Sequence, residues 1–162
     1  MASRIPLSVG FVLRELTKIY PTADCTLDWT TPLELLIATI LAAQCTDARV
    51  NIVTKKLFQK YTSPQDYLHV SPQELERDIH SCGTFRMKAR AIQESCHMIL
   101  QKFGGEVPRT MPEMLLLRGV GRKTASIVLA TAYGIIDGIP IDTHCIRLTQ
   151  RMGLTKFSEQ AK

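Results

Sequence analysis

Residues 115–125 read Leu115-Leu116-Leu117-Arg118-Gly119-Val120-Gly121-Arg122-Lys123-Thr124-Ala125, and Ser126 to Gly134 continue as SIVLATAYG. A short apolar helix meets a Gly-Val-Gly turn, and a second helix is expected over 126–133. Two glycines let the backbone turn tightly and bring its N–H groups close to a ligand. The free N–H groups and positive dipole end of the second helix face outward at that turn, which suits a phosphate. Arg118 and Arg122 flank it. The plainer reading is a Gly-stopped helix followed by another helix. The basic flanks and the helix on each side favour a clamp on a DNA backbone. Lys123 lies in the first turn of the second helix, where the dipole disfavours a cation. Position alone makes it a solvated lysine; its alternative is a nucleophilic amine.

Downstream, Ile139-Pro140-Ile141-Asp142-Thr143-His144 follows the loop 133–138. Asp142 is a candidate N-cap for a helix over 143–152. A capping carboxylate can also face a developing positive charge. Asp142 lies 19 residues after Lys123, and an intervening helix and loop can return the chain so that both face one cleft. His144 reads as a structural hydrogen-bonding histidine. His69, His80 and His97 have no cysteine or carboxylate grouping, so no metal is expected on side chains.

Upstream, helix signals dominate. Thr31-Pro32-Leu33-Glu34 joins a capping hydroxyl, a proline at the first helical position and a glutamate that closes a capping box. The apolar run behind it predicts a buried helix ending near Gln44-Cys45-Thr46, with Asp47 capping a second helix to about Lys60. Ser63-Pro64-Gln65-Asp66 and Ser71-Pro72-Gln73-Glu74 start two short helices. A longer helix is expected from Arg86 to Phe103, stopped by Gly104-Gly105, with Ala91, Ile92, Cys96, Ile99 and Leu100 inward. Met111-Pro112-Glu113 starts another short helix, and Ser158 would cap one more. No segment alternates with a period of two between hairpin turns. The expected fold class is all-α.

The 162 residues are 45% hydrophobic and 22% charged, which excludes a disordered tail, a collagen-like repeat and a coiled coil. The longest apolar stretch, Leu35 to Ala43, is far short of the roughly 20 residues of a membrane span, and residues 1–20 carry no secretory pattern. The five cysteines, at 25, 45, 82, 96 and 145, have no disulfide or zinc spacing. A reducing compartment, the bacterial cytoplasm and its nucleoid, is expected. The net charge of +5 is concentrated in residues 86–123, where eight basic residues face three acidic ones; the remainder balances at twelve of each. Local excess of this kind suits a polyanion or, more plainly, a solvated helix face.

LRGVGRKTASIVLATAYG followed by IPIDTH resembles the helix-hairpin-helix and Gly/Pro–Asp signature of the DNA glycosylase superfamily, most nearly its endonuclease III family. LLIATILAAQCTDARVN, CGTFRMKA and GGEVP extend the resemblance over most of residues 30–152. It implies a six-helix barrel at 30–134, with the hairpin motif at about 112–133, and a second domain built from 1–29 and 135–162. It implies a bifunctional enzyme of base excision repair, a DNA glycosylase and AP lyase acting on duplex DNA with oxidised pyrimidines or abasic sites, as a monomer. The family's nucleophilic lysine falls on Lys123 and its catalytic aspartate on Asp142. Amides near Gly119, Val120 and Gly121 would hold a phosphate, with or without a monovalent cation. Gln44 matches the glutamine that fills the hole left by a flipped base. Thr84, where relatives often carry a larger apolar residue, matches the wedge into the opposite strand, with Phe85 as the substitute.

Relatives usually close with cysteines spaced C-x6-C-x2-C-x5-C around a [4Fe-4S] cluster. That spacing is lacking here, so the chain reads as truncated before it, with a partial second domain and no cofactor of its own. The competing readings are a monofunctional glycosylase, which Lys123 argues against, and a non-catalytic DNA-binding hairpin module.

Overall fold

The computed structural model describes residues 8–157; the expected cap at Ser158 lies outside them. The described residues form two compact units, one at Thr26–Pro140 and one drawn from the two ends of the chain, up to Cys25 and from Ile141. Regular structure in both is helical.

In the larger unit, Thr31 accepts from the Glu34 amide while the Glu34 carboxylate returns to the capping backbone, and Pro32 opens α2 (Pro32–Ala42). Leu35 through Leu41 are all buried. A helix hydrophobic on every side belongs at the centre of a core, and α2 packs against α3 (Asp47–Lys60), α6 (Phe85–Lys102) and α8 (Arg122–Tyr133). Each fully buried leucine or isoleucine there contributes about 2 kcal/mol of apolar transfer. The buried Thr39 hydroxyl donates to the Leu36 carbonyl at 2.7 Å, so it is no polar defect.

Three further starts follow the cap-then-proline pattern: Ser63 for α4 (Pro64–His69), Ser71 for α5 (Pro72–Asp78) and Thr110 for α7 (Met111–Met114). The Asp66 carboxylate accepts from the amides of Thr62 and Ser63, both at 2.9 Å. The Thr62 amide first, then the Ser63 hydroxyl and amide, hold its pKa below the usual aspartate value. A depressed carboxylate stabilises the fold above its unfolded pKa, and that contribution disappears as pH falls through the folded one. Asp66→Asn therefore lowers the melting temperature at pH 7, and the difference from the parent closes below about pH 4. Melting curves across pH 2–7 check this.

Sequence and structure differ at several ends. The cap of α3 is Thr46, whose hydroxyl accepts from the Arg49 amide, with Asp47 inside the helix. The second helix of the hairpin begins at Arg122, four residues before the expected Ser126, because Gly121 is already extended and ends the turn. Among the end-unit helices, α1 (Val9–Ile19) was not expected from sequence; Ser8 caps it by accepting from the Phe11 amide. α9 (Thr143–Arg151) begins at the expected Asp142 cap.

Candidate nucleic-acid interface

Leu117 and Val120 are buried, and the Val120 amide donates to the Leu117 carbonyl at 3.2 Å. Together they anchor a turn from which the residues between them project. The Ser95 hydroxyl of α6 donates to the Arg118 carbonyl at 2.9 Å. Gly119 has φ +76°, and a Cβ added there would lie 2.9 Å from the Ala91 Cβ. Both the left-handed backbone and the close approach to α6 require glycine. Gly119→Ala is therefore expected to cost about 2–4 kcal/mol from backbone strain plus overpacking. Adding Ala91→Gly recovers only the steric part. Denaturant unfolding of the single and double variants measures both.

Gly121 supplies no side chain to cap α8, and the first turn of α8 contains no acidic residue. The other two residues of that turn's entrance, Arg122 and Lys123, are exposed. Amides left without an intrahelical partner, with two cations beside them, favour an anion.

Beside the hairpin lies a groove of about 720 Å³. Ile40, Ala43, Met87 and Ala91 give it apolar wall. Gln44, Thr84, Arg86, Arg90, Arg118 and Gly119 also line it. Gln44 and Thr84 are the only non-glycine residues with positive φ among the described ones, at 54° and 40°. Such a conformation costs an L-residue about 1–2 kcal/mol, and a β-branched residue such as threonine rarely adopts it. Both side chains are exposed, so core packing does not require them to be where they are. Strain retained at an exposed position is a signature of binding sites.

Arg90 and Arg118 share the Glu94 carboxylate, at 2.7 and 3.0 Å. Arg90, then Arg118, keep that carboxyl below its ordinary pKa against a burial effect of opposite sign. Lys88 behaves differently from its basic neighbours. It is 5% exposed, and its ammonium donates to the carbonyls of Leu41, at 2.8 Å, and Cys82. Burial lowers its pKa. It belongs to the interior of the fold, so the surface excess of charge is one smaller than the sequence suggests.

The structure thus gathers Gln44, Thr84, Arg118 and Gly119 along one groove, with Val120, Gly121, Arg122 and Lys123 continuing the same hairpin. Asp142 belongs to the end unit, where its carboxylate accepts from the Cys145 amide at 2.8 Å. Sequence reading counted Arg86 and Arg90 as charge without assigning them to a site. Their spacing of four residues at the start of α6 was the available signal. Among the described residues no three or more His, Cys, Asp or Glu side chains cluster as metal ligands. The cysteines present do not fit a four-thiolate cluster.

The HhH-GPD superfamily base excision DNA repair protein family matches residues 37–162. The chain belongs to that family. An endonuclease III of Synechocystis sp. is 53% identical over 148 residues, which are 91% of this chain and 68% of the relative. A solved non-covalent endonuclease III–DNA complex superimposes with a TM-score of 0.90 at 49% identity, covering 94% of this chain and 71% of the other. A trapped endonuclease III–DNA covalent intermediate, with an estranged adenine, also gives 0.90, at 48% identity and the same coverage. The HhH-GPD chain described here is a base excision repair DNA glycosylase of the endonuclease III type, and it is shorter than these relatives. Among the described residues no helix is long and apolar enough to cross a membrane.

Proposed function

We propose that this chain excises oxidised pyrimidines from duplex DNA and cuts the strand 3′ to the resulting abasic site, with Lys123 as nucleophile and Asp142 as its charged partner. The observation that carries the reading is the pair of strained, exposed residues Gln44 and Thr84 on one groove beside the hairpin. A flipped nucleotide leaves a hole in the duplex. Gln44 fills it with a side chain able to donate and accept, while Thr84 parts the opposite strand. Amides of Gly119, Val120 and Gly121, with Arg118 and Arg122 beside them, hold the backbone phosphate, with room in the same scheme for a monovalent cation.

In the reaction, the Lys123 Nζ lone pair attacks C1′ and the N-glycosidic bond breaks, its electron pair leaving with the damaged base. The Asp142 carboxylate stabilises the positive charge that develops on the sugar, then takes up the amine proton and passes it to O4′ as the ring opens. Ring opening gives an iminium between Nζ and C1′. Loss of a C2′ proton then expels the 3′ phosphate by β-elimination. Residues 30–134 act as the barrel that presents the hairpin, and 1–29 with 135–162 as part of a second domain that places Asp142. The reading takes the protein as a monomer acting on bacterial DNA in the cytoplasm.

The test uses a duplex with a single thymine glycol and a second duplex with an uncleavable abasic analogue. Thymine glycol is cut to a 3′ unsaturated aldehyde end. Gln44→Gly and Thr84→Gly relieve strain, so both variants melt at a higher temperature yet bind the abasic analogue more weakly. Equal affinity of parent and variants, with intact thymine glycol, overturns the assignment and leaves a hairpin module that binds backbone alone.

A further inference from the structure

Among the described residues Lys88 is the only buried side chain that carries a charge. It lies in the first turn of α6, where the helix dipole disfavours a cation, so the helix itself does not account for it. Helical side chains lean toward the N-terminus of their own helix. The Lys88 ammonium reaches back past Thr84 to the carbonyl of Cys82, the last residue of the 3₁₀ turn His80–Cys82. It also donates to the Leu41 carbonyl in the last turn of α2, at 2.8 Å. Leu41 and Cys82 are both buried, and a buried carbonyl left unpaired is costly.

Each of these carbonyls stands just before a strained residue. In a continued α2 the Leu41 carbonyl would accept from the Cys45 amide. Instead the chain leaves the helix at Ala43, Gln44 turns left-handed, and the Cys45 amide donates to the Ala42 carbonyl at 3.0 Å. Lys88 serves the acceptor that this departure opens, at the helix end where a cation is favoured. In the other loop Gly83 and Thr84 are both left-handed, at φ 64° and 40°, and the Thr84 hydroxyl makes no capping bond to α6. The Lys88 amide donates to the Thr84 carbonyl at 3.1 Å, while its ammonium holds the Cys82 carbonyl. One residue thus pins both ends of 82–84 and ties them to the end of α2.

We propose that Lys88 is a positioning residue for lesion recognition: by clasping the Leu41 and Cys82 carbonyls it holds Gln44 and Thr84 so that both enter the duplex together. This rests on the roles given above to those two residues. Lys88 itself makes no DNA contact in this scheme, because its ammonium is committed to the two carbonyls and the residue is 5% exposed. Loss of the clasp leaves Arg118, Arg122 and the hairpin amides in place, and these hold any duplex by its backbone. What disappears is the additional affinity for a duplex with a gap in its stack.

Lys88→Met tests this, since it keeps the length of the stem and removes the charge and every donor. Affinity is measured for the abasic-analogue duplex and for an undamaged duplex of the same sequence. The preference for the abasic duplex is expected to fall about tenfold, a coupling usual for residues in one hydrogen-bond network, while affinity for the undamaged duplex holds. In a Gln44→Gly, Thr84→Gly background the same substitution is expected to leave the remaining preference unchanged, because the clasp has nothing left to position. Amide hydrogen exchange is expected to quicken at 43–45 and 82–84 and to stay as it was in α8. Should Lys88→Met fail to fold, Lys88→Gln, with a shorter stem and an uncharged donor, is read in the same way. An unchanged preference, an equal loss for both duplexes, or the same loss in both backgrounds overturns the positioning role. Unchanged exchange in both loops overturns the clasp. A parent without preference for the abasic duplex counts against the roles of Gln44 and Thr84 instead, and the exchange measurement still decides the clasp.

Discussion

Lys123→Gln is expected to reduce turnover of a thymine glycol duplex by on the order of 10⁴-fold or more, the scale seen when a covalent nucleophile is removed. Glutamine keeps the length and polarity of the side chain but has no lone pair able to attack C1′. Lys123 is exposed at the start of α8, so its loss leaves no cavity and the melting temperature should hold. Affinity for an abasic analogue should change little, because Arg118, Arg122 and the backbone amides of the hairpin remain. A large fall in turnover with retained binding is a loss confined to the transition state. A parallel loss of both would make Lys123 a phosphate contact.

The second large effect is at Asp142, where two roles can be separated by one atom. As the cap of α9, its carboxylate accepts from the Cys145 amide. Asparagine caps a helix about as well as aspartate, but it carries no charge. Asp142→Asn is therefore expected to keep stability within about 0.5 kcal/mol while turnover falls about 100- to 1000-fold. Asp142→Ala loses the cap too, at a further cost of about 1 kcal/mol. Unfolding curves and single-turnover kinetics on the same preparations separate these outcomes. Equal loss in both variants, tracking stability, would reduce Asp142 to a cap.

Local chemistry explains what could be read without coordinates. The caps at Thr31, Ser63, Ser71 and Asp142 involve neighbours three residues away, so residue type and spacing determine them. The buried run of α2 was legible because seven successive core positions leave no polar face. Helix α1 escaped notice because many of its large apolar residues, Val9, Leu13, Leu16 and Ile19 among them, are exposed and its one start signal is a serine without a following proline.

The site shows the same division. The hairpin announces itself through Gly119, Val120 and Gly121. The left-handed backbone at Gln44 and Thr84 does not, because neither residue type favours it. Lys88 reads as surface charge in any count of residues, and its burial depends on two carbonyls, one from Leu41, 47 residues away, and one from Cys82 in the turn just before its own helix.

Lys123 as nucleophile is tested by peptide mapping of the adduct formed when borohydride reduces the protein on duplex DNA with one abasic site. A single modified position is expected, Lys123, carrying the sugar remnant through a secondary amine. An adduct on another amine, or none from protein that binds the same duplex and melts normally, would contradict it.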